Sequence, residues 1–347
     1  MSEREIGAPV YLAHRGRAAR YVPGLLQRER ELMIDDVPIH TPPDAVFVCE
    51  ALAAAGRRYR PSQVAIEARE DRWLIRLPDQ RLAWLARSAL GVERLRRERR
   101  VLRLIEQRCS FEAPRVLFES ADGDLDVRSM VPGTADPWRF YAEVLDSSER
   151  ASRLGAAIGA MLVEQHTRIG AADVTPWLPR RPSWPEAPDW IRERLPRVVD
   201  DARLIARAEA VIDAYENVVV EDADRVLVHT DIGFHNLGID GESYTVRGIF
   251  DYDGAACADR HHDFRYLPFD FARPEMLEAA CSVYEPVVGR PIRRDRVFLY
   301  NAACAVTFLA FRAGHAADER WCGRTLAEDV QWSRQAIAKA VPLLGRA

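Results

Sequence analysis

The sequence predicts an α+β chain of two lobes, a small one built on an antiparallel sheet and a larger one that is mainly helical. Three observations carry this. Residues 64 to 87 alternate apolar and polar positions in short runs separated by polar turns, the period-two pattern of a half-buried meander. Beyond residue 150 apolar positions recur at helical spacing over long stretches. Between these, the apolar runs Val226 to Val228 and Val246 to Phe250 each end in polar residues that would be poor choices for a core. At 347 residues the chain is long enough for both lobes to bury a core of their own.

Taken in order, residues 1–43 mix arginine-rich and apolar pieces up to Pro42-Pro43 and read as an N-terminal arm. Residues 44–130 read as the small lobe. A helix is expected from Asp44 to Ala55, ended by Gly56. Strands follow at Val64 to Glu67, Trp73 to Leu77 and Leu82 to Arg87, with breaks at Arg69 to Asp71 and Pro78 to Gln80. A helix from Gly91 to Gln107 places Leu95, Leu102 and Ile105 on one face, and its arginine-rich opposite face is expected to be solvated. Val116 to Phe118 and Leu125 to Val127 read as two further strands, and Pro132-Gly133 marks the turn between lobes. Residues 131–347 form the large lobe. In the helix Ser152 to His166, Leu154, Ile158, Met161 and Leu162 form a stripe beside the small residues Gly155, Gly159 and Ala160. Residues 171–190, rich in proline and tryptophan, read as a loop. Helices are expected over 190–197, 202–217, 274–287, 293–314 and 325–344.

Composition excludes several classes. A net charge of -4 gives no reason to expect nucleic acid or an anionic membrane as partner. Met1 to Tyr11 lacks the apolar segment of a secretion signal, and Ala302 to Phe311 is too short to span a bilayer. The six cysteines are scattered, without a CxxC pair, and read as buried thiols of a reduced, cytoplasmic protein. His235, His261 and His262 with Asp259 match no zinc spacing. Basic charge is almost all arginine, Lys339 being the only lysine.

The chemistry sits in residues 226–263. After the first apolar run comes His229-Thr230-Asp231, with Asn236 five residues beyond the acid; after the second comes Asp251-Tyr252-Asp253. Magnesium-dependent phosphoryl transfer needs this set: one carboxylate to take the proton of the attacking hydroxyl, and an amide oxygen with a second carboxylate to hold the hard cation on nucleotide phosphates. HxDxxxxN followed by a strand ending in Asp251, and then Asp259-Arg260-His261-His262-Asp263-Phe264, resembles the aminoglycoside phosphotransferase and choline kinase group of the protein-kinase-like fold.

The resemblance implies an enzyme that moves the γ-phosphoryl of ATP or GTP, with Mg²⁺, to a hydroxyl of an antibiotic or small metabolite. It implies Asp231 as catalytic base, Asn236 and Asp251 as metal ligands, and His229 and Asp263 as supports of the loop. Asp253 is left open between metal, acceptor and structure. His166, which resembles the histidine that ends the corresponding helix, is assigned no chemistry. The interlobe hinge falls on Ser129 to Gly133, so Ser129 and Val131 are expected beside the purine. In that family a strand-borne lysine reaches the phosphates and pairs with a helix glutamate. Arg87 and Glu98 fit by position, with Arg76 as competitor, and arginine is not an equivalent replacement. No glycine occurs between Gly56 and Gly91, so a glycine-rich phosphate loop is missing. These two departures keep open a catalytically weak, nucleotide-binding pseudokinase.

Overall fold

The computed structural model describes residues 42–344, except 55, 70, 269–271 and 322. The expected N-terminal arm lies almost entirely outside the described residues. Helix α1 (Ala45–Ala54) precedes a sheet of β1 (Ala65–Ala68), β2 (Arg72–Leu77), β3 (Arg81–Ala86), β4 (Val116–Glu119) and β5 (Leu125–Ser129), with α2 (Ala89–Arg108) between β3 and β4. The five strands are all antiparallel, in the order β1-β2-β3-β5-β4. Period-two alternation sends Trp73, Ile75, Leu77, Leu85 and Val127 into one small core, which Val48 and Leu52 of α1 complete. Ser88 caps α2, its hydroxyl accepting the Gly91 N–H at 3.2 Å.

The arginine-rich face of α2 departs from the expectation of a solvated surface. Arg94 and Arg99 are buried, and Arg99 meets Asp126 of β5 at 3.1 Å. The helix is therefore fixed to the sheet by ion pairs as well as by its apolar stripe.

Residues 130–136 lead into the large lobe: α3 (Pro137–Asp146), α4 (Ser148–Arg168), α5 (Ala171–Val174), α6 (Pro188–Arg194), α7 (Ala202–Glu216), α8 (Pro274–Val288), α9 (Arg294–Phe311) and α10 (Leu326–Ala340). The helix α3 was not expected, although Asp136 at its N-cap and Pro137 in its first turn are ordinary start signals. Gly155 and Gly159 of α4 lie against the backbone of α8 at Met276 and Ala280, so closely that a Cβ at either would overlap a carbonyl. Small residues there let the two helices share one core. A second core joins α6, α7, α9 and α10. The apolar helix α9 with its following turn is long enough to cross a membrane, but it is mostly buried within this second core.

Two short ribbons carry the polar loops: β6 (Arg225–Val228) with β9 (Ala256–Asp259), and β7 (Leu237–Ile239) with β8 (Val246–Ile249). The runs that end in the candidate acids are thus not paired with each other. Backbone bonds pin the β7–β8 ribbon to the crossing between lobes at Thr134 and to the α2–β4 loop of the small lobe at Glu112. Thr134 and Ile239 exchange N–H···O bonds of 2.9 and 3.0 Å, and Glu112 bonds to Arg247 and Ile249 at 3.1 and 3.0 Å.

Candidate active site

Asp231 lies on the loop that leaves β6, and Asp263 organises that loop. One Asp263 oxygen accepts the His229 N–H at 3.0 Å, the Gln165 amide at 3.2 Å and His166 Nε2 at 3.0 Å; the other accepts the Thr230 N–H at 2.8 Å. Burial alone would raise the Asp263 pKa, but His166, His229 and the Thr230 N–H hold it below the ordinary carboxylate value. Thr230 sits at φ 75°, a left-handed conformation uncommon for a β-branched residue, and the Asp263 bond helps to hold it there. His166, given no chemistry from sequence, is thereby a buried partner of the loop's anchor.

His229 is neutral. Burial lowers its pKa, and its two nitrogens have opposite duties: Nδ1 accepts the Asp231 N–H at 3.2 Å, and Nε2 donates to the Phe250 carbonyl at 2.9 Å. Phe250 also donates its N–H to the Asn236 carbonyl at 3.0 Å. The residue before Asp251 is thus fastened twice to the loop that carries Asp231 and Asn236, which brings the three candidate residues together although their strands are not paired. The Asn236 side-chain amide donates to the Asp231 carbonyl at 2.9 Å and to its carboxylate at 3.0 Å. Both N–H groups are then used, leaving Oδ1 for a metal ion.

Asp251 is held at φ 69°, ψ 57°, again left-handed and not glycine. Burial, then Glu98, Asp253 and Asp231, push its pKa up to about 7, against the opposing charge of Arg72. A carboxylate so crowded by acids is one that a bound cation would relieve. Among the described residues no three His, Cys, Asp or Glu side chains converge as a ready-made metal site. One amide oxygen and one carboxylate suit Mg²⁺, which keeps several waters and takes its remaining ligands from phosphates.

Asp231 contrasts with Asp251. Burial would raise its pKa, but His235, Arg265 and Tyr266 hold it well below the usual carboxylate range. His235 Nε2 lies 3.1 Å from its Oδ2, and the Tyr266 hydroxyl donates to Oδ1 at 2.5 Å. Gly233 makes room for the first contact, since a Cβ there would overlap the His235 ring. Neither His235 nor Tyr266 was assigned a role from sequence. The i, i+4 spacing of Asp231 and His235 was a usable signal, whereas nothing in the sequence links Tyr266 to Asp231.

The cation departs most from expectation. Glu98 does meet a strand arginine, but it is Arg72 of β2, at 3.0 Å, joined by Arg128 of β5 at 2.8 Å. Arg72 also reaches Asp253 at 2.9 Å, and its guanidinium lies 4.7 Å from the Trp84 ring centre. The expected Arg87–Glu98 pair is not formed. Arg72 is paired with Ala86 in the β2–β3 ladder, and residues paired across a ladder share a face, so Arg87 turns to the other face. There it donates to the Arg69 carbonyl at 2.7 Å and stacks over Trp73. Arg76 shares the Arg72 face but lies four residues along β2, exposed and 3.8 Å from Glu67.

Asp253, left open from sequence, ion-pairs with both Arg72 and Arg94, tying the turn after β8 to α2 and the sheet. At the hinge, Ser129 is committed to Arg115: its hydroxyl accepts the Arg115 N–H at 2.9 Å, and its own N–H donates to the Arg115 carbonyl at 3.0 Å. Val131 makes no backbone hydrogen bond to other described residues.

The chain matches the phosphotransferase enzyme family, known as APH, over residues 39–294. No curated protein matches it. Among solved structures it is similar to a macrolide 2'-phosphotransferase from Brachybacterium faecium, with 18% identity, a TM-score of 0.54, and 84% of this chain and 97% of that one covered. Macrolide 2'-phosphotransferase type I gives 18% identity and a TM-score of 0.55, covering 88% and 99%. The streptomycin–ATP ternary complex of APH(2")-IIa gives 14% identity and a TM-score of 0.56, covering 80% and 92%. These neighbours establish a protein-kinase-like fold of a small sheet lobe and a mainly helical lobe. The chain belongs to the phosphotransferase enzyme family.

Proposed function

We propose that this phosphotransferase moves the γ-phosphoryl group of ATP or GTP to a hydroxyl of a small molecule and requires Mg²⁺. The observation that carries the reading is the double fastening of Phe250, which sets Asp251 beside Asn236 and Asp231. Residues 44–130 would hold the nucleotide, and residues 131–347 the catalytic loop and acceptor. Asn236 Oδ1 and the Asp251 carboxylate would hold Mg²⁺, which when bound offsets charge on the phosphate oxygens. Asp231 orients the acceptor hydroxyl and takes its proton late, as a loose transition state requires. Arg72 replaces the usual lysine toward the phosphates, with Glu98 and Arg128 fixing its fork. The free backbone groups of Val131 suit a purine edge better than those of Ser129.

Macrolides and aminoglycosides are the acceptors named for the structural neighbours, and both belong in the first screen. The acids of residues 189–216 do not form an unopposed wall for a polycation. Asp213 pairs with Arg192, Glu216 with Arg181 and Asp201 with Arg334. The test is a panel of macrolides, aminoglycosides and small amino alcohols with γ-labelled ATP and GTP. Label appearing on an acceptor only with Mg²⁺ supports the reading.

One observation favours a second reading, a nucleotide-binding protein of weak activity. Arg72 is already met by Glu98, Asp253 and Asp71, at 3.0, 2.9 and 3.6 Å, which lessens its pull on a phosphate. Mg²⁺-dependent nucleotide binding with no label transferred to any acceptor would favour it.

A further inference from the structure

The two oxygens of Asp231 face different partners. Oδ2 is turned into the loop, where it accepts from Asn236 at 3.0 Å and lies 3.1 Å from His235 Nε2. Oδ1 is the oxygen left for an incoming hydroxyl, and a hydroxyl already sits on it, that of Tyr266 at 2.5 Å. This is the short end of the range for O–H···O⁻. The tyrosine is held for the purpose. Its ring lies edge-on to His235, with centroids 6.2 Å apart, and the Arg265 guanidinium stands 4.8 Å from its centre. Arg265 is itself anchored to the Thr230 carbonyl of the same loop, and its own carbonyl accepts the Asn301 amide at 2.9 Å. Within residues 255–268 every residue is buried except Tyr266. The segment that anchors the loop through Asp263 thus also presents a single half-exposed phenol to its base.

We propose that Tyr266 is a placeholder for the acceptor: its hydroxyl occupies the Asp231 oxygen that the acceptor hydroxyl must take, and acceptor binding displaces it. The proposal rests on the phosphotransfer reading above. A phenol in this position has the same hydrogen-bond donor as an alcohol acceptor, so the exchange leaves the base satisfied before and after. Without an acceptor the same contact keeps water off Asp231. If water did reach it, the water oxygen would bond to the γ-phosphorus and the bond to the β,γ-bridging oxygen would break. Asp231 would take the water proton, and nucleoside diphosphate and phosphate would leave. Tyr266 is in this sense a specificity residue, selecting acceptor over water.

The test is Tyr266→Phe, which keeps the ring against Arg265 and His235 and removes only the hydroxyl. Acceptor-independent, Mg²⁺-dependent nucleotide hydrolysis should rise by about tenfold or more, as loss of a hydrogen bond to a charged group allows. The acceptor KM should fall several-fold while kcat changes little. Hydrolysis at or below the wild-type level in a variant that still transfers phosphoryl would overturn the proposal and leave the phosphotransfer reading standing. A phosphate found on Tyr266 by mass spectrometry would also overturn it, because the hydroxyl would then be an acceptor. If neither protein binds nucleotide or turns it over, the phosphotransfer reading fails and this proposal with it. The contact has its own readout in ¹³Cζ-tyrosine NMR. The resonance lost in Tyr266→Phe should be shifted in Asp231→Asn, and an unshifted resonance would remove the contact on which the proposal stands.

Discussion

Replacing Arg72 and Arg87 separately by alanine tests the reassignment of the phosphate-facing cation. Arg72 is buried, with carboxylates at 2.9, 3.0 and 3.6 Å. A buried pair that loses its only partner costs about 3–5 kcal/mol. Here the loss is softened, because Glu98 keeps Arg128 at 2.8 Å and Asp253 keeps Arg94. We therefore expect Arg72→Ala to destabilise the protein by about 2–3 kcal/mol, including the lost stacking on Trp84. Arg87→Ala loses a bond to a carbonyl and a stacking contact with Trp73, among others, so about 1–2 kcal/mol is expected. Nucleotide binding separates the two more sharply. A charge-assisted contact worth about 1.5–3 kcal/mol should weaken ATP binding roughly tenfold to a hundredfold in Arg72→Ala. Glu98 and Asp253, relieved of one positive partner, would add repulsion toward the phosphates. Adenosine affinity should be unchanged in both variants. Urea denaturation and calorimetric titration with ATP and adenosine measure these quantities. A phosphate-specific loss in Arg87→Ala, with Arg72→Ala binding ATP like the wild type, would refute the reasoning.

Two further outcomes are expected. Asp263→Ala leaves the His229 and Thr230 N–H groups, the Gln165 amide and His166 without their shared acceptor, and should cost about 3–5 kcal/mol in urea unfolding; a cost below 1 kcal/mol would remove Asp263 as the loop's anchor. Asp251 has a folded pKa raised from 3.8 to about 7, so its protonated form is favoured on folding and its contribution is lost as pH rises between those values. That shift corresponds to about 4 kcal/mol, which partial solvent access should roughly halve. In metal-free buffer Asp251→Asn should therefore be more stable than wild type by about 2 kcal/mol at pH 8, with the difference shrinking as pH falls and vanishing below about pH 4, and a difference that does not change with pH would contradict the raised pKa.

What could be read from sequence divides along physical lines. That Asp231, Asn236 and Asp251 form one candidate cluster was legible, because the chemistry proposed for them depends on residue type and short spacing, and the acids follow apolar runs that fix where each loop starts. The long helices of the large lobe were legible from periodicity, as was the meander of the small one. The Arg72–Glu98 pair was not, because it depends on ladder register. Arg72 stands next to a polar break, and only its pairing with Ala86 puts it on the face toward Glu98 and Arg87 on the other. The burial of Arg94 and Arg99 depends equally on tertiary partners, Asp253 and Asp126, that lie far away in sequence. The ribbon partners were hidden for another reason. β7 is three residues long, and Leu237-Gly238-Ile239 has too little pattern to declare a strand. Tyr266 combines both difficulties, being a single residue on a turn whose contact with Asp231 exists only after the loop has folded.

Asp231→Asn tests the proposed role of Asp231 as the base of a phosphoryl transfer. The amide keeps the size of the side chain and much of its hydrogen bonding but cannot accept the acceptor's proton. Measured with Mg²⁺, γ-labelled nucleotide and the acceptor found by the screen, nucleotide affinity should stay near wild type while turnover falls by about 10²–10⁴-fold. Turnover within a few-fold of wild type would contradict the account.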